Sequence, residues 1–286
     1  MSWSASVKDE LCRVPLSRKC CAVSECYGAL LFSNTFSSDR VKLVTEHAGF
    51  AERLRELFAL AFGISLKIEK NKKYSLETTD TEALQTALGF DKSRSIALRL
   101  NLSVLENECC PASLLRGVFL SGGYAADPQR RYHLEITGNR WHVTNELMNL
   151  CSELMTAPKR LDRDGSYMLY YKKSSEIEDF LTLIGAPLSA MDVMNAGAEK
   201  ALRNNAMRRV NCDTANADKT VNAAISQVAA INALISGGKF ESLSPELQLT
   251  AAARIDNPDS SLNELAALLH IGKSCLAHRL RRLVEM

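Results

Sequence analysis

Hydrophobic and polar positions follow two periods along this chain, and the change from a mixture of the two to one alone divides it. Up to about residue 185, short stretches alternating with period two are interleaved with amphipathic runs of period three to four, the signature of helices packed on antiparallel strands. The pattern predicts a helix at residues 25–32, a strand at 40–47 and a helix at 50–62 ended by Gly63. A hairpin then pairs 64–70 with 73–79 around Asn71 and Lys72, and a short helix follows at 81–88.

The same order returns in the next stretch, with a helix at 111–123, a strand at 132–138 and a helix at 142–155. A hairpin across 158–173 turns at Asp164-Gly165, and a helix at 174–185 closes the repeat. Beyond residue 190 only helical periodicity remains. Val221, Ile225, Val228, Ile231 and Ile235 make one apolar face, which stops at Gly237 and Gly238. The fold class is therefore α+β: a pseudo-twofold domain of two repeats with antiparallel sheets, joined to an all-α C-terminal domain. The expected boundaries are 1–95 and 96–188 for the repeats, 189–240 for a helical connector and 241–286 for the tail.

The tail has the local signals of a helix-turn-helix. Ser244-Pro245 suits a helix start, Asn257-Pro258 a break, and Ser261 with Glu264 has capping-box spacing. A short turn at His270-Ile271-Gly272 leads to a last helix beginning at Lys273. Leu265, Ala266, Leu269, Ile271, Leu276, Leu280 and Leu283 are expected to pack the last two helices together. Ser274, Ala277, His278 and Arg281 then fall on one uncovered face, flanked by Lys273, Arg279 and Arg282. Small and polar side chains let a helix approach base edges while the flanking cations neutralise phosphates. From His270 to Leu283 there are four Lys or Arg and no acid, so these seven residues are the expected DNA contacts. The alternative use of such a face is contact with another protein.

Charge and cysteine content narrow the picture. The net charge is +2, from 35 basic and 33 acidic residues, so any affinity for nucleic acid must come from local concentration of charge. In the connector, Arg203, Arg208, Arg209, Asn211, Asp213, Asn216 and Lys219 crowd together. The run of Asn suggests a break between helices, with Arg208, Arg209 and Lys219 as further DNA contacts. Lys67, Lys70, Lys72, Lys73, Arg130, Arg131, Lys159, Arg160, Arg163, Lys172 and Lys173 lie in or near strands, as a solvated face or as phosphate contacts. Nine cysteines without a secretion signal imply free thiols in a reducing cytoplasm. Cys12, Cys20, Cys21 and Cys26 lack C-x(2–4)-C spacing, and Cys109-Cys110 precedes Pro111 at a helix start, so neither a metal nor a cofactor is expected. No apolar run approaches membrane-spanning length, and no membrane partner is expected.

Two helices, within ECYGALLFSNTF at residues 26–34 and LLRGVFLSGGY at 115–123, resemble degenerate LAGLIDADG helices, with Gly28 and Gly117 at the close crossing. In that motif an acid near each helix end holds a divalent metal, whereas this chain has Ser33 and Gly122 there. Together with MRRVNCDTANADKTVNAAISQVAAI and the tail strings SLNELAALL and KSCLAHRLRRL, these segments resemble the WhiA family. That resemblance implies a catalytically dead homing-endonuclease fold carrying a helix-turn-helix and acting in transcriptional control, in sporulation or in cell division with chromosome segregation. It implies a nucleoid-associated protein without enzymatic activity, whose partner is double-stranded promoter DNA; further transcription or division partners stay open. Two other readings remain: a scaffold for division proteins, and an endonuclease using Asp39 and Asp127.

Overall fold

The computed structural model describes residues 2–33, 35–36, 40–88 and 98–286. Asn34, at the end of the first LAGLIDADG-like segment, Asp39 and the expected boundary at 95/96 lie outside the described residues. A leading helix, α1 (Trp3–Cys12), begins where the Ser2 side chain accepts from the Ala5 amide. Its charged residues hide it from periodicity, yet Val7 and Leu11, four apart, are fully buried.

The first repeat is α2 (Lys19–Leu31), β1 (Thr35–Phe36), β2 (Val41–Thr45), α3 (Ala48–Phe62), β3 (Lys67–Lys70), β4 (Tyr74–Thr78) and α4 (Glu82–Leu88). The second is α5 (Cys110–Gly122), β5 (Gly123–Ala125), β6 (Leu134–Gly138), α6 (Trp141–Leu154), β7 (Lys159–Arg163), β8 (Ser166–Tyr171) and α7 (Ser174–Ile184). The two agree element for element. Their antiparallel sheets have matching orders, β1-β2-β4-β3 and β5-β6-β8-β7. Matching registers place Leu43 opposite Leu76 and Ile136 opposite Leu169, all four buried. The β7–β8 turn works as expected, with Asp164 and Gly165 both at positive φ (36° and 78°). Strands β1 and β5, of two and three residues, are too short to show an alternation of their own.

Helices α2 and α5 pack lengthwise at the centre of the domain. A β-carbon on Gly28 would fall onto the Leu114 carbonyl, and one on Gly117 onto the Glu25 carbonyl, so both glycines are required by the backbone approach. Beside the crossing the buried Glu25 carboxylate accepts from Arg53 (Nε 2.5 Å, Nη2 2.9 Å) and from Arg116 Nε at 3.0 Å. Arg53 also donates to the Val14 and Cys12 carbonyls at 2.7 and 3.1 Å, and Arg116 to the Ile184 carbonyl at 2.9 Å and Ser113 Oγ at 3.1 Å. A buried charge set of this kind is tolerated because every member is paired.

The chain divides into two units, Met1–Lys200 and Ala201–Met286, and the division falls inside α8 (Pro187–Ser236). The break expected among residues 203–219 is not there: α8 runs uninterrupted for 50 residues. Ala, Arg, Met and Lys between the asparagines are good helix formers, and Asn216 and Thr220 bond within the helix, to Cys212 Sγ and the Asn216 carbonyl. The expected apolar face is also corrected. Ala224, Ile231 and Leu234 are buried, whereas Val221, Ile225 and Ile235 are 54%, 62% and 45% exposed. The helix stops as expected at the glycines, where Gly238 has φ 67°. Three helices remain: α9 (Pro245–Asp256), α10 (Leu262–Leu268) and α11 (Lys273–Glu285).

Candidate nucleic-acid interface

Two tail helices, α9 and α10, present α11. Pro245 opens α9, and near its end the buried Arg254 donates to the Ser260 carbonyl at 2.7 Å, fixing the loop that leads into α10. Desolvation lowers the Arg254 pKa. Ser261 and Glu264 form both bonds of a capping box. The Ser261 amide donating to Glu264 holds that carboxyl below its ordinary range.

The turn between α10 and α11 is Leu269–Gly272, closed by the Ile271 amide on the Ala266 carbonyl at 3.0 Å. His270 takes the left-handed conformation there, with φ 54°, a position a non-glycine residue occupies at a cost. Leu265 and the small Ala266 from α10 meet Leu276, Leu280 and Leu283 from α11, with Leu247 and Ala251 of α9 beneath. Leu269 and Ile271 are partly buried against this core.

That packing decides what α11 shows to solvent. Lys273, Ser274, His278, Arg281 and Arg282 are exposed, and Ala277 is half-buried among them. Six of the seven expected contact residues therefore lie on or beside one open surface. Arg279 differs: it is half-buried and donates to Glu246 of α9 at 2.9 Å, which makes it a strut between helices. Arg208, Arg209 and Lys219 are exposed on α8.

At the ends of α2 and α5 stand Ser33 and Gly122. Ser33 is buried and donates to the Leu30 carbonyl at 2.7 Å. A β-carbon on Gly122 would lie 2.7 Å from the Thr137 carbonyl and 3.0 Å from Phe32, so no carboxylate side chain fits at that backbone position. Each helix end instead receives a cation from the protein: Arg140 donates to the Leu31 carbonyl at 2.5 Å, and Lys8 to the Leu120 carbonyl at 3.0 Å. Burial lowers the pKa of both, that of Lys8 to about 8. The cleft beside them, about 240 Å³, is lined by Phe32, Ser33, Thr137, Gly138, Asn139 and Ser166. Asp127, considered as a displaced ligand, shapes a turn, accepting from the Gln129 amide at 2.9 Å.

Some of the strand cations are engaged by neighbours. Lys73 pairs with Glu46, Lys173 with Glu176 and Arg160 with Asp162. Arg160 also lies 5.0 Å from the ring of the exposed Trp141 and 5.6 Å from that of Tyr167. This cation–aromatic cluster joins α6 to the β7–β8 hairpin and is invisible to periodicity, because its members are linked only by the tertiary fold.

Two family models match the chain, one described as the WhiA LAGLIDADG-like domain over residues 111–203 and one as the WhiA C-terminal HTH domain over 206–286. A probable cell division protein WhiA from Ruminiclostridium cellulolyticum is 38% identical over 306 residues, spanning all of this chain and 97% of that one. Another, from Alkaliphilus metalliredigens, is 31% identical with equal coverage of 100% and 97%. The fold is shared with the crystal structure of full-length DUF199/WhiA from Thermatoga maritima, at TM-score 0.60 and 23% identity over 100% of this chain and 97% of that one.

Proposed function

The chain belongs to the WhiA family, and from that premise we propose that it is a non-enzymatic regulator that binds double-stranded DNA through α11 and acts in cell division with chromosome segregation, or in sporulation. One observation carries this reading: a packed helix-turn-helix whose last helix turns Lys273, Ser274, His278, Arg281 and Arg282 to solvent. In this reading Ser274, Ala277, His278 and Arg281 read base edges, and Lys273 and Arg282 neutralise phosphates. Arg208, Arg209 and Lys219 add sequence-independent contacts. The replacement of both acids by Ser33 and Gly122, with Lys8 and Arg140 on the helix ends, supports a role without strand cleavage. Association with the nucleoid follows from the same DNA contact, and no described helix is long and apolar enough to cross a membrane.

A scaffold role in division has its own support. Val221, Ile225 and Val228 of α8, with Pro258, line an apolar groove of about 360 Å³ in the unit of residues 201–286. The two readings part in one experiment, genome-wide occupancy set beside transcript changes in the same cells. Occupied promoters whose transcripts respond support the regulator; occupancy without neighbouring change supports the scaffold. A protein carrying Lys273→Ala, His278→Ala and Arg281→Ala that keeps full occupancy would sink DNA reading by α11.

A further inference from the structure

Both central helices begin with a cysteine pair. Cys20-Cys21 opens α2, while Cys109 caps α5 and Cys110 is its first residue. The lengthwise packing of the helices brings these four residues together, although 89 positions separate Cys20 from Cys109. The Sγ atoms of Cys20, Cys109 and Cys110 all lie within 4.8 Å of one another, and those of Cys20 and Cys109 are 4.0 Å apart. We propose that Cys20, Cys109 and Cys110 form a site for a thiophilic d10 cation of the Zn²⁺ class that staples the starts of α2 and α5.

Geometry and chemistry both favour this occupant. Zinc–sulfur bonds of about 2.3 Å place tetrahedral ligand sulfurs roughly 3.8 Å apart, so the cluster closes around an ion by side-chain movements of well under about 1 Å. The donors are thiols only, a set that selects soft cations over Mg²⁺ or Ca²⁺. Arg18 places Nη1 3.7 Å from Cys109 Sγ and favours the thiolate there, whereas burial holds Cys20 as the thiol, so an ion entering the site displaces a proton from it. Cys110 is buried while Cys20 and Cys109 are half-buried, which leaves a route from solvent. Cys21 interacts with Cys109 but lies outside the group of three mutually close thiols. The backbones cannot drift apart, because Gly28 and Gly117 interlock the same two helices. The proposed site lies at the opposite end of this helix pair from Ser33 and Gly122, and it is independent of the DNA-binding reading.

The test uses the full-length protein, reduced and stripped with a chelator, titrated with Co²⁺ and then with Zn²⁺ against a chromophoric chelator. One equivalent of Co²⁺ should give the thiolate-to-cobalt charge-transfer absorption of a tetrahedral sulfur site, and Zn²⁺ should displace it. Cys20→Ser and Cys109→Ser, checked for folding by circular dichroism, should each weaken Zn²⁺ binding by at least ~100-fold. Cys212→Ser and Cys275→Ser, at exposed positions on α8 and α11, should leave it unchanged. Zn²⁺ should also raise the melting temperature of the wild type and not that of the Cys20→Ser/Cys109→Ser double variant. Absence of the charge-transfer band, or equal Zn²⁺ affinity in the wild type and both single variants, overturns the proposal.

Discussion

Gly28 and Gly117 face each other's helices as equivalents: each lies where its missing β-carbon would meet a carbonyl of the other helix, Leu114 for the first and Glu25 for the second. Backbone cannot yield as a flexible side chain can. Gly28→Ala or Gly117→Ala must therefore spread α2 from α5, with a cost at or above the upper end of the roughly 1–3 kcal/mol typical of overpacking. Denaturant unfolding should show a midpoint lowered to match in both variants, while Gly165→Ala, with no atom near its β-position, suffers only the strain of its positive φ.

Glu25 ties the helices by charge where the glycines tie them by shape. Among the described residues it is the carboxylate that pairs with both Arg53 and Arg116, so Glu25→Gln leaves two buried guanidinium groups without their anion. The expected loss is about 3–5 kcal/mol. Arg116→Met in the Glu25→Gln background should cost less than the sum of the two single changes, which a double-mutant cycle measures directly.

Lys8 gives the fold a pH dependence of known sign. Its ammonium is pushed from 10.5 down to about 8, first by burial, with Cys12 opposing. Between these values the unfolded chain holds a proton that the folded chain has released, so this group makes the protein more stable as pH rises from 8 toward 10.5. Below 8 both states are protonated and the dependence vanishes. Lys8→Met should flatten that rise, and comparing the melting temperatures of the two proteins at pH 8 and pH 10 isolates the lysine from other groups. An equal change in both proteins would show that Lys8 is not desolvated.

The repeats were legible in the sequence because period, glycine stops and the Asp164-Gly165 turn are local properties, and the structure keeps all three. α1 was not, because Lys8, Asp9 and Glu10 break its apolar run and only tertiary burial of Val7 and Leu11 reveals it. The uninterrupted course of α8 contradicted an inference from Asn content, which is a weak propensity that neighbouring residues outweigh. At the candidate interface, the open face of α11 followed from the positions of Leu276, Leu280 and Leu283. The diversion of Arg279 did not, because its partner Glu246 lies 33 residues away. The same holds for the thiols: spacing along the chain excluded a site among Cys12, Cys20, Cys21 and Cys26, while the helix crossing joins Cys20 to Cys109 instead.

Arg279 and Arg281, two residues apart on α11, should separate packing from recognition. Arg281 is exposed on the face with Ser274 and His278. If it pairs with a base edge, Arg281→Ala costs about 1–3 kcal/mol of binding and relaxes preference at one position of the site. Lys273→Ala, at the start of the helix, should weaken binding to all sequences alike and reduce the salt slope by about 1. Arg279 is held by Glu246 at 2.9 Å, on a pair whose carboxylate side is largely exposed. Breaking it with Glu246→Ala should change stability by no more than about 1 kcal/mol, and the released guanidinium should then strengthen DNA binding and steepen its salt dependence. Titrations of one operator and one scrambled duplex at several salt concentrations distinguish the three variants. Loss of affinity in Glu246→Ala would instead show that the Arg279 strut sets the angle at which α11 meets the groove.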